Sequence, residues 1–128
     1  MIPLVSNVTL SGDLVADYQT LMSSPFGAAM PKLVAAARAQ IQKALHRKDA
    51  ILKCGASDAD PGCSVQIRFI DQVNREYEPP VVFAQFILGW ALMAEEPLMV
   101  GANLVGPEDG RIALRDYTLH MSAVTARP

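Results

Sequence analysis

The sequence predicts an α/β fold in which parallel strands alternate with helices, and three observations carry that expectation. Leu33, Ala37, Ile41 and Leu45 recur at the spacing of one helix face. Val65, Ile67 and Phe69 alternate with Ser64, Gln66 and Arg68, the period of a strand. Gly and Pro punctuate the chain between segments of the two kinds, the pattern of a parallel sheet covered by helices.

Taken in order, a first strand is expected near 14–22, closing at Ser23-Ser24-Pro25. Pro31 suits the first turn of a helix over 31–53, with Gly55 as its stop. The alternating segment makes a second strand over 63–73. Pro79-Pro80 opens a helix over 80–95 that is apolar almost all round, and such a helix is covered on most sides. Its run from Val81 to Ala94 contains Gln85 and is shorter than the about 20 residues that span a bilayer.

A third strand, 98–105, is apolar except for Asn103, as a strand buried on both faces is, and ends at Gly106-Pro107-Glu108-Asp109-Gly110. The last helix, 111–125, presents Leu114, Tyr117, Met121 and Val124 on one face. There is no internal repeat, low-complexity tract or linker, so residues 1–128 read as one structural unit. Three parallel strands leave two open edges, and another chain, a second copy or further sequence is expected to complete the sheet.

The chain has 128 residues, 51% of them hydrophobic and 19% charged, which is a globular composition. Eleven Lys and Arg against thirteen Asp and Glu give a net charge of −2, so nucleic acid and membrane partners are not expected. The N-terminus has no basic segment and no long apolar run, so it is not a secretory leader as it stands.

Lys32, Arg38, Lys43, Arg47, Lys48 and Lys53 gather in the first long helix. A phosphate-binding face is one account. A solvated outer face is the simpler one, because basic residues near a helix C-terminus complement its dipole and no aromatic residue is interleaved for stacking bases. Cys54 and Cys63 bracket a flexible loop, and a disulfide and two free thiols are equally open; a bridge would imply an oxidising compartment. His46 and His120 belong to no metal-binding motif, and the six methionines read as core filling.

In parallel α/β sheets ligands gather at the C-terminal ends of strands. Three segments share that edge in this reading: Met22-Ser23-Ser24, Gln72-Val73-Asn74-Arg75 and Gly106-Pro107-Glu108-Asp109. In the last, a glycine lets backbone approach a ligand and two carboxylates follow; a plain turn is the competing account.

The stretch Val82-Phe83-Ala84-Gln85-Phe86-Ile87-Leu88-Gly89-Trp90, then Val100-Gly101-Ala102-Asn103-Leu104-Val105-Gly106-Pro107-Glu108-Asp109 and Leu114-Arg115-Asp116-Tyr117, resembles the adenosine deaminase family. The likeness is nearest its secreted, growth-factor-like branch and bacterial relatives, and Ala16 to Met22 resembles that family's second barrel strand. The resemblance implies an internal portion of a metal-dependent (β/α)8 barrel, from the second strand to the fourth helix. It also implies zinc and a purine nucleoside substrate for the complete protein.

The family's paired-histidine and His-Ala-Gly-Glu motifs are absent from the chain, so no catalytic residue and no metal ligand is assigned and the chain alone is expected to be inactive. What carries over is Gly106, matching a glycine whose backbone contacts the purine, and Glu108, the acidic residue of the same motif. Asn103 and Pro107 depart from the family pattern, as does Thr20. The expected location is periplasmic or secreted, otherwise cytoplasmic. The rival expectation is a non-catalytic module that self-associates or binds a partner through open sheet edges.

Overall fold

The computed structural model describes residues 1–126. Its elements are α1 (Ile2–Val5), α2 (Leu14–Met22), α3 (Pro25–Ile51), a short 3-10 turn (Pro61–Ser64), β1 (Phe69–Asn74), α4 (Pro79–Glu95), β2 (Met99–Val105), α5 (Arg111–Arg115) and α6 (Tyr117–Thr125). The mixed helix and strand class agrees with the expectation from sequence. Among the described residues the sheet has two parallel strands rather than three.

The segment expected as a first strand, 14–22, is the helix α2. Asp13 caps it by accepting from the amides of Val15 and Ala16, which supplies partners for two of the free N–H groups at a helix start. Leu14 and Leu21, seven apart, then fall on one face and join the core. Asp17, on the same face, is only 2% exposed. Its carboxylate accepts from Ser11 N (2.7 Å), Ser11 Oγ (2.8 Å) and Gly12 N (2.9 Å), folding the preceding segment against the helix.

Helix α3 begins at Pro25, six residues before the predicted start, and Pro31 lies inside it. Proline at N1 is favourable for the reason expected at Pro31, since a donor with no partner is given up. The two helices meet tightly: a Cβ on Gly27 would collide with the carbonyl of Met22. Leu21 and Phe26, on either side of the junction, are fully buried.

Cys54 and Cys63 form a disulfide across a sequence separation of 9. Asp60 caps the 3-10 turn by accepting from Gly62 N, which draws Cys63 and Ser64 out of the predicted strand, so β1 covers only the end of 63–73. Replacing both cysteines by serine is expected to lower the unfolding free energy by about 2–3 kcal/mol through the freed loop in the unfolded chain. Urea denaturation with and without the substitutions measures it.

Helix α4 is buried on most sides, as its composition implies: Val81, Val82, Phe83, Ala84, Phe86, Ile87 and Leu92 all belong to the core. It packs against both strands and against α1, α2, α3 and α6. Phe69 and Val73 of β1 turn toward this core, whereas Ile70 and Gln72 stay exposed on the opposite face. In β2, Leu104 packs inward while Val100, Ala102 and Asn103 are exposed, so the strand is not buried on both faces as predicted. Each strand also keeps one unpaired edge among the described residues.

The predicted helix 111–125 is broken at Asp116, whose φ of −108° and ψ of 17° are not helical. The break turns the two pieces differently, so that Ile112, Ala113, His120 and Ala123 go inward. The expected apolar face is consequently mostly outside: Leu114 is 66%, Tyr117 62% and Val124 48% exposed.

Candidate functional site

Two loops lie side by side at the C-terminal ends of the parallel strands, Asn74-Arg75-Glu76 after β1 and Gly106 to Gly110 after β2. Their juxtaposition follows from the register, which pairs Asn74 with Val105. The third predicted segment, Met22-Ser23-Ser24, follows a helix and is not part of a strand edge.

The first loop is fixed by an array of hydrogen bonds. Gln85, the polar residue in the apolar run of α4, accepts from Asn74 N (2.9 Å) and donates to Asn74 O and Val81 O (both 3.3 Å). Asn74 Oδ1 accepts from Glu76 N at 2.9 Å, a side-chain turn that bends the chain away from the strand. Arg75 donates across to β2 twice, from its amide to Val105 O (3.0 Å) and from Nη2 to Leu104 O (2.9 Å).

Glu76 then ties the loop to the segment after β2. Its Oε1 accepts from Ala113 N (3.0 Å) in the first turn of α5, where a backbone donor has no partner within the helix. The carboxylate crowds Gly110 so closely that any side chain there would collide with it. Arg115 adds an exposed clamp, from Nη2 to Glu78 (3.0 Å) and to Asp116 (2.6 Å). Its hydrogen bond holds the Asp116 carboxyl below the usual range.

Gly106 leaves β2 with φ of 102°, a backbone region that side chains rarely adopt, and a Cβ there would stand 3.3 Å from Asn74 Oδ1. Two residues on, Glu108 is exposed on the turn that Gly110 N closes by donating to Pro107 O (3.3 Å). Of the sequence-predicted site residues, the structure therefore places Gly106 and Glu108 together on one exposed loop, backed by Asn74 and Arg75. Cys54 and Cys63 precede β1 and lie apart from this edge. The arrangement offers an exposed backbone and an exposed carboxylate, groups that can hydrogen-bond a ligand.

The zinc implied by the resemblance has no fitting donor set among the described residues. His46 is exposed on α3, whereas His120 is buried on α6. The acidic groups nearest His120 are engaged already, Asp116 by Arg115 and Glu76 by the amide of Ala113. Burial holds the His120 pKa below that of a free imidazole, so its neutral form is the one that packs.

Comparison with models of protein families, with characterised proteins and with solved structures gives no match for this chain. The functional reading therefore rests on this loop pair and on the sequence features that single it out. Glu76 was not visible as part of the site from sequence, because its role depends on the contact with α5, 37 residues away. Asn74 and Arg75 were signalled by their place at the end of an alternating segment.

Proposed function

We propose that the chain is a portion of an adenosine deaminase-like aminohydrolase and contributes part of a purine-binding wall around Gly106 and Glu108. The complete protein would carry out hydrolytic deamination of adenosine or a related purine nucleoside, with the metal centre supplied by sequence outside these residues. On this reading β1, α4, β2 and α5 with α6 correspond to the third strand through the fourth helix of a (β/α)8 barrel. Residues 14–22, being helical, do not supply its second strand.

The observation that carries the reading is Gly106. It ends a parallel strand beside its neighbour's end, has φ of 102°, and is exposed, which supports a ligand lying against its backbone. Calorimetry with purine riboside tests it. Gly106→Val is expected to weaken binding at least about tenfold, because a β-branched residue fits poorly at positive φ and covers the backbone. Unchanged binding counts against the reading, and so does inosine formed from adenosine by these 128 residues with added Zn²⁺.

The Cys54–Cys63 disulfide supports a periplasmic or secreted setting over a cytoplasmic one. A second reading, a non-catalytic assembly module, is favoured by the unpaired edges of β1 and β2 among the described residues and by the exposed Ile70 on the open face of β1. Light scattering separates the two, since dimers that form with concentration favour assembly and a clean monomer argues against it.

A further inference from the structure

A cavity of about 540 Å³ is lined by Asp71 and Gln72 of β1, Gln85 and Leu88 of α4, and Ile2 and Pro3 of α1. Residues of β2 do not line it, so it flanks the edge of β1 that has no partner strand among the described residues. Asp71 stands at its inner wall. The side chain presses on Gly89, where even a methyl group would collide, and Oδ2 is buried without a hydrogen-bond partner.

Neither α4 from Pro79 to Ala94 nor β2, the two elements packed on this face, carries a charged residue. Met1 and Tyr77 also line the cavity, and neither bonds to Oδ2. Burial alone pushes the Asp71 carboxyl up to about 6 from 3.8. A carboxylate oxygen buried without a partner and a strand edge open up to Asn74, whose N–H and C=O Gln85 occupies, are each unfavourable alone. Here the two lie side by side.

We propose that an extended polypeptide strand adds to the free edge of β1 and brings a lysine or arginine side chain to Asp71. A strand, rather than a free amine, is the occupant because the edge before Asn74 offers backbone groups at the spacing of the next strand, about 4.8 Å away. Its basic side chain supplies Oδ2 with the donor that the described residues do not. The inference rests on the sheet and the cavity, and it stands or falls separately from the purine reading.

Three fluorescein-labelled peptides with blocked ends test it: alternating threonine and valine around a central lysine, the same with norleucine, and the lysine peptide with an N-methylated backbone. By anisotropy at about pH 7.5, the lysine peptide is expected to bind about tenfold more tightly than the norleucine one, with the N-methylated peptide bound weakly or not at all. Asp71→Asn is expected to bring the lysine-to-norleucine ratio close to one.

The same variant should raise the Tm of the chain alone, opposite to its effect on binding. The folded-state carboxyl keeps its proton to higher pH than the unfolded one, so its contribution to stability is complete below about 3.8 and is lost as pH rises through about 6. Asparagine stays neutral, so the gain in Tm is expected at about pH 7.5 and should shrink toward pH 4. Equal affinity of wild type for the lysine and norleucine peptides, a ratio that survives Asp71→Asn, or a variant less stable than wild type at about pH 7.5 would overturn the proposal.

Discussion

Gly27→Ala is expected to destabilise the chain by about 3 kcal/mol or more, enough to unfold a domain of ordinary stability. The added methyl group would occupy the position of the Met22 carbonyl, which is backbone and has no rotamer to change. Relief requires α2 and α3 to separate, and that disturbs the core where Leu21 and Phe26 are both fully buried. In a helix alanine is otherwise about 1 kcal/mol better than glycine, so propensity acts in the opposite direction and the sign of the result is diagnostic. Thermal unfolding followed by circular dichroism measures it, and a variant as stable as wild type would show that the two helices can part at little cost.

Asp17→Ala is expected to be nearly as damaging, by about 3 kcal/mol. It removes the acceptor for Ser11 N, Ser11 Oγ and Gly12 N and leaves a hollow at a site only 2% exposed. Asp17→Asn should recover part of the loss, because an amide oxygen still accepts from Ser11 while its NH₂ group faces the Gly12 donor. Denaturant titration of the three proteins checks that order, and an alanine variant equal to the asparagine one would show that neither the side chain's volume nor the bonds to Ser11 decide.

These two positions also mark where sequence reasoning stopped short. The core of the fold was legible wherever one signal dominated: the uninterrupted apolar run made α4, and the apolar segment with a glycine at its end made β2. Residues 14–22 carried conflicting signals. Val15, Tyr18 and Thr20 suit a strand, but the cap at Asp13 and the apolar spacing of Leu14 and Leu21 suit a helix, and the buried anchor of Asp17 comes from residues before it. Strand boundaries were misplaced for a local reason, since Asp60 captured the segment around Cys63 in a 3-10 turn.

The candidate site was legible to the extent that it is made of neighbours in sequence. Gly106 and Glu108 sit on the loop that their spacing indicated. Glu76 reaching Ala113, and Asp71 stranded against Gly89, arise only when separate elements meet, and no local pattern announces them. The stripe of Leu114, Tyr117 and Val124 was legible as apolar but not as exposed, because Asp116 interrupts the helix that would have aligned it.

The disulfide has a topological consequence. The loop it spans, 55–62, includes exposed Gly55, Ala56, Ser57 and Asp58, the kind of segment that proteases cut first. A cut there divides the chain into an all-helical piece ending in α3 and a piece holding both strands, yet the Cys54–Cys63 bond keeps them one covalent molecule. On a denaturing gel the nicked protein would migrate as one molecule until reduced, so the redox state of one bond decides whether a cut in this loop releases α1 to α3 from the piece that holds the sheet and α4 to α6.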